Sequence, residues 1–122
     1  MTWLWVFLGG GLGSVARFGL SKLVLSFYKE SPMFPLSTLI SNVLATAILA
    51  IVLFQVPDRL SDHQRYFWSV GFCGGFSTFS TFSLENWLLI DQKAWLVLAL
   101  NLILSLGLGL LVMALFSKNF SG

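Results

Sequence analysis

Gly71-Phe72-Cys73-Gly74-Gly75-Phe76-Ser77-Thr78-Phe79-Ser80-Thr81-Phe82-Ser83 is the stretch that decides how this chain folds. It lies inside a segment, about 66–90, that otherwise reads as a membrane-crossing helix. A glycine pair and a hydroxyl-rich run are out of place there. Lipid tolerates an interrupted helix only where the freed backbone groups are buried in protein or line a polar cavity. The stretch therefore predicts an all-α membrane protein whose third helix is broken mid-membrane, with a site or a pathway at the break.

The rest of the chain agrees. Its 122 residues are 57% hydrophobic and only 10% charged, and its mean hydropathy is +0.86. A soluble domain carries about a quarter charged residues. The length admits a single domain, residues 1–122, with four spans of about 20 residues. They fall at about 3–27, 36–56, 66–90 and 94–116. Span one has no basic leader and no small-residue cleavage site, so it reads as retained. It ends in Tyr28-Lys29-Glu30-Ser31-Pro32, span two starts after Pro35 and stops before Pro57, and Asp58 to Arg65 is the most charged loop. Trp3, Trp5, Tyr66, Trp68, Trp87 and Trp95 sit near span ends, as an interfacial aromatic belt does. A net charge of +2 with scattered basic residues argues against nucleic acid as a partner. Cys73 and His63 are each alone, so neither forms an intrachain disulfide or a ligand cluster.

The charges give no orientation. With four spans, Arg59, Arg65 and Lys118 share one side, and Lys22, Lys29 and Lys93 the other, with Arg17 deeper in span one. Two readings stand: another signal sets the topology, or the chain inserts both ways and pairs antiparallel with itself. Four helices at 8–10 Å spacing fill their own centre. Any pathway is therefore narrow or lies between subunits, and closed twofold dimers are the commonest assembly.

Gly9 and Gly13, like Gly10 and Ser14, are four apart and make small faces for close helix contact. No phosphate-loop pattern accompanies them. Arg17, well inside span one, either snorkels or faces a wet cavity that draws anions. Thr38, Asn42 and Thr46 lie along one face of span two, either as interhelical glue or as a ladder for a desolvated ion. Asn101, Ser105 and Gly109 repeat that spacing in span four. In span three, Gly74-Gly75 weakens the helix, and Ser77, Thr78, Ser80 and Thr81 can satisfy freed backbone groups. A broken helix turns carbonyls toward a cation on one half and N–H groups toward an anion on the other. Phe79 and Phe82 share a face that Asn86 continues. Their electropositive ring edges, together with amide and hydroxyl donors, suit a small anion. Glu85 is either interfacial or paired with Arg17. No catalytic constellation is present, so an enzyme is not expected.

These motifs together resemble a known family, the small prokaryotic fluoride channels (Fluc, or CrcB-type). The likeness covers the whole chain. It rests on Gly9-Gly10 through Gly13 to Arg17-Phe18, on Thr38-Leu39 through Asn42, and above all on Gly71 to Ser83. The resemblance implies an antiparallel, dual-topology homodimer in the prokaryotic inner or plasma membrane, with two narrow pathways for passive fluoride export and hence fluoride resistance. It implies Phe79 and Phe82 as ring-edge contacts, Asn42 as amide donor, Thr38, Thr81 and Ser105 as polar lining, and Arg17 in the vestibule. It also implies a structural Na+ held at the dimer interface by the backbone carbonyls of Gly74 and Ser77. Ser77 stands where threonine is common, which a carbonyl ligand survives, and Gly109 where some members have a hydroxyl. The alternative is a dual-topology, proton-coupled exporter of the small multidrug type. That function needs a carboxylate in span one, which has none.

Overall fold

The computed structural model describes residues 2–27, 34–56 and 58–121, the side chains of 118–121 excepted. The expected Tyr28–Pro32 connection, Lys29 within it, Pro57 and the side chain of Lys118 lie outside the described residues. All regular structure among the described residues is helical: α1 Thr2–Ser26, α2 Leu36–Ala50, α3 Asp62–Tyr66, α4 Cys73–Phe76, α5 Phe79–Asp91 and α6 Trp95–Ser121. Two π-helical segments interrupt the α geometry. Ile51–Gln55 extends α2, and Phe67–Phe72 joins α3 to α4. Among the described residues, three helical stretches are long and apolar enough to cross a membrane: Thr2–Ser26, Leu36–Gln55 and Trp95–Ser117. Large apolar side chains such as Phe7, Val15, Ile103 and Leu110 are exposed along α1 and α6, as lipid-facing helices require.

The stretch between Leu36–Gln55 and Trp95–Ser117 is built differently from these three. Helix runs unbroken from Asp62 to Phe76, stops at Ser77 and Thr78, and restarts at Phe79. Each piece is about 20 Å long at 1.5 Å per residue, too short alone for a hydrocarbon core of about 30 Å. Ser77 and Thr78 are extended, with ψ of 158° and 121°. The interruption therefore falls two residues beyond Gly74-Gly75, which are themselves helical. The physical reason is capping rather than glycine flexibility. The Thr78 hydroxyl accepts a hydrogen bond from the Thr81 backbone N–H at 3.3 Å, as an N-cap residue does.

The glycines serve close packing instead. A side chain at Gly75 would run into the Gly10 carbonyl, and one at Gly71 would meet the Val6 carbonyl oxygen at 2.9 Å. Gly9 and Gly13 are blocked in the same way by the backbone between Phe67 and Phe76. Backbone thus lies against backbone along α1, the small-residue geometry by which helices associate in lipid. A compact core of Ala45, Cys73 and Phe76, flanked by Ala16, Leu20 and Ile48, ties α2 to this pair.

The helix ends explain the connections. Ser61 and Gln64 form a reciprocal capping box that starts α3. α5 ends in a Schellman turn, with Lys93 N–H donating to Ile90 O and Ala94 N–H to Leu89 O. Lys93 takes the left-handed conformation (φ 56°) that glycine usually fills. A lysine there costs about 1 kcal/mol, and the turn places α6 beside α5.

Candidate functional site

Two cavities meet at Thr78, the larger mostly apolar and carrying a few polar groups, the smaller mainly polar. The larger, about 310 Å³, is lined by Asn42 and Thr46 of α2, Ser77 and Thr78 of the interruption, Phe79 and Phe82 of α5, and Ser105 of α6. The smaller, about 70 Å³, is lined by Arg17 and Ser21 of α1, Thr38 and Ser41 of α2, and Thr81 and Glu85 of α5. Thr78 lines both. Every side chain expected from the sequence to face an anion borders one cavity or the other. Asn42, Phe79, Phe82 and Ser105 border the first; Arg17, Thr38 and Thr81 border the second.

The bonding around Asn42 sets what the large cavity offers. The Thr78 backbone N–H donates to Asn42 Oδ1 at 3.2 Å. With its oxygen held there, the amide keeps its Nδ2 donors for the cavity. Thr46 donates to the Asn42 carbonyl at 2.8 Å, so its proton is committed within α2. Ser105 donates to Asn101 Oδ1 at 3.3 Å, and Asn101 Nδ2 in turn donates to Asn86 Oδ1 at 2.7 Å. Asn101 is 1% exposed. Asn86, expected to continue the phenylalanine face, is therefore held in a polar tie between α5 and α6. The Phe79 and Phe82 rings lie 6.4 Å apart at 42°, and Phe79 is 80% exposed on the single chain.

The small cavity is lined by one basic and one acidic side chain. The Arg17 Nε–H donates to the Gly75 carbonyl at 3.3 Å, near the C-terminal end of α4, where last-turn carbonyls lack helical partners. Glu85 Oε2 accepts from the Thr38 hydroxyl at 2.9 Å, while its Oε1 is buried with no hydrogen-bond partner among the described residues. The two readings of Glu85 resolve here: it borders the same cavity as Arg17 but bonds to Thr38. Ser77 donates to the Cys73 carbonyl at 2.6 Å, and Gly74 is exposed, with nothing within 4 Å of where a Cβ would stand.

Sequence reasoning missed Thr78 as the junction, and Glu85 and Ser41 as lining. A threonine just before a helix start is a legible N-cap signal. The i, i+4 spacing of Thr81 and Glu85 puts them on one helix face. The partnership of Glu85 with Thr38 joins two helices far apart in sequence, and no local pattern announces it.

Comparison with known proteins identifies the family. Residues 4–116 match the family described as CrcB-like protein, Camphor Resistance (CrcB). The fluoride-specific ion channel FluC of Coxiella burnetii (strain CbuK_Q154) is 39% identical over 111 residues, 88% of each chain. The protein of the same name from Pyrococcus horikoshii is 46% identical over 96 residues, 75% of this chain and 74% of its own. That of Flavobacterium psychrophilum is 35% identical over 112 residues, 90% and 89% of the two chains.

Proposed function

Because this chain belongs to the CrcB-like family, we propose that it is a fluoride-selective channel that lowers cytoplasmic fluoride by passive export. The observation that carries this reading is the meeting of two cavities at Thr78, with an amide, hydroxyls and phenylalanine rings lining one and Arg17 lining the other. The names of its relatives support the choice of anion.

A small anion leaving water loses strong hydrogen bonds, and the path must replace them. Asn42 Nδ2 and the ring edges of Phe79 and Phe82 supply positive ends. The Thr78 hydroxyl, which donates to Thr81 Oγ1 at 3.4 Å, borders the same cavity. Arg17 lines the small cavity together with Glu85, so an anion there meets a guanidinium as well as the carboxyl group. Close donors favour the ion with the shorter approach, because attraction rises as distance falls. On this reading the break at Ser77–Thr78 lies mid-membrane, α3 through α5 act together as one span, and four spans make up the domain. The small multidrug-type exporter reading finds no support, since α1 carries no carboxylate.

The experiment is fluoride efflux from liposomes holding the purified protein. Efflux is expected without a proton gradient and is expected to fall sharply in Phe79→Ile. Chloride passing as readily as fluoride would overturn the proposal.

An antiparallel, dual-topology homodimer in the prokaryotic inner or plasma membrane completes this reading. Balanced basic residues on the two sides, the exposed Phe79 ring and the open Gly74 face support it. The carbonyls of Gly74 and Ser77 would hold a Na+ at the dimer interface. The fit is chemical: Ser77 ends α4, where carbonyls are freed, and hard cations take oxygen ligands. A bound Na+ would supply a fixed positive charge that ties the two chains together. Exchanging Na+ for N-methyl-D-glucamine is expected to lower the thermal midpoint of the dimer. Identical melting in the two cations, and a tag reachable from one side of the membrane only, would count against the sodium and the dual topology respectively.

A further inference from the structure

Two more cavities lie at the end of the bundle that carries the Asp58–Arg65 loop, and they adjoin at Val52. The first, about 250 Å³, is lined by Ile48, Ile51, Val52, Val56, Leu60 and Trp68. All of these are apolar apart from the Trp68 indole N–H. The second, about 220 Å³, is lined by Val52 and Leu53 together with Asp62, Arg65, Tyr66 and Ser69. Each takes part of its lining from both π-helical segments, Ile51–Gln55 and Phe67–Phe72, the second also from α3. A π turn shifts side chains out of the α-helical register, so the ridges of one helix no longer fill the grooves of the next. The gaps follow from that mismatch, and π segments often mark functional positions.

We propose that the paired cavities bind one membrane phospholipid whose headgroup carries a phosphate and a primary ammonium, the chemistry of phosphatidylethanolamine. The phosphate lies on Arg65, the ammonium on Asp62, and an acyl chain lies along the apolar cavity beside Val52. Charge complementarity selects this occupant. Arg65 spends one N–H on Asp62 Oδ1, and its other donors remain for a phosphate. The Arg65 and Asp62 side chains are 45% and 79% exposed, and an exposed pair of this kind is worth little by itself, so it can open around a second pair of charges. The charges of Asp62 and Arg65 cancel. A net-anionic headgroup would bring its charge beside the Asp62 carboxylate with no ammonium to offset it, and a quaternary choline has no N–H to donate. Tyr66 and Trp68, which line the two cavities, are of the aromatic type that gathers at headgroup level.

The test is native mass spectrometry of the full chain, released from nanodiscs that contain phosphatidylethanolamine with either phosphatidylcholine or phosphatidylglycerol. One phosphatidylethanolamine per chain is expected to be retained over phosphatidylcholine. Arg65→Gln is expected to cut that retention about tenfold, the loss of one charge-assisted bond. Asp62→Asn is expected to reverse the preference toward phosphatidylglycerol. Both variants alter exposed side chains, so folding is preserved. Equal retention of all three lipids, or retention unchanged in Arg65→Gln, would overturn the proposal. Release of the lipid by millimolar inorganic phosphate would also overturn it, by revealing a simple phosphate site.

Discussion

Gly13→Leu is expected to yield no monodisperse protein in detergent. At Gly13 a Cβ would run into the Phe72 carbonyl oxygen and would stand 2.8 Å from the Phe76 nitrogen. Both obstacles are backbone atoms, so no side chain can rotate aside. α1 would have to lift away from the Phe67–Phe76 stretch and give up the Gly9, Gly71 and Gly75 contacts with it. Overpacking a core where side chains yield costs about 1–3 kcal/mol. Here the cost exceeds that range, against a total stability of order 5–15 kcal/mol. Gly11→Leu is the control, because Gly11 has nothing within 4 Å of its Cβ position. It is expected to purify and melt like the parent. A Gly13→Leu protein with the parent's melting midpoint would refute the backbone-to-backbone contact.

Asn42→Asp is expected to abolish fluoride efflux while leaving the protein folded. Either carboxylate oxygen can accept the Thr78 N–H that Asn42 Oδ1 accepts now, so the tie between α2 and the interruption survives. The change falls on the cavity side, where two N–H donors become a negative oxygen. An anion about 4 Å from that charge meets roughly 4 kcal/mol of repulsion at an effective dielectric of 20. That corresponds to a loss of about a thousandfold. Ser105→Ala makes the contrast. Its hydroxyl proton is already given to Asn101, so losing it is expected to cost less than about 1 kcal/mol, or roughly fivefold. Efflux from Asn42→Asp liposomes within tenfold of the parent would remove Asn42 from the path.

The membrane class and the polar interruption were legible because composition and local pattern carry them. Hydropathy marks the apolar helices, and a hydroxyl-rich run inside an apolar stretch has few uses. The side chains expected from chemistry and helical spacing to face an anion border the two cavities. Less readable was the division of labour within Gly71–Ser83. Glycine lowers helix propensity by about 1 kcal/mol, which points to Gly74-Gly75 as the break. In the fold, Gly75 remains helical because Gly10 needs the space, and Thr78 makes the break by capping α5.

The sequence by itself determined that this chain is an all-helical membrane protein with a polar defect in its third apolar segment. Periodicity and transfer energies act over a few residues and need no partner. Only the tertiary structure decided which donors remain available. Asn42 keeps its amide N–H groups because the Thr78 backbone, 36 residues away, takes its oxygen. Arg17 turns to the Gly75 carbonyl and Glu85 to Thr38, although the two charges border one cavity. A hydrogen bond satisfied across helices removes a group from the chemistry available to an ion, and that allocation depends on which helices touch.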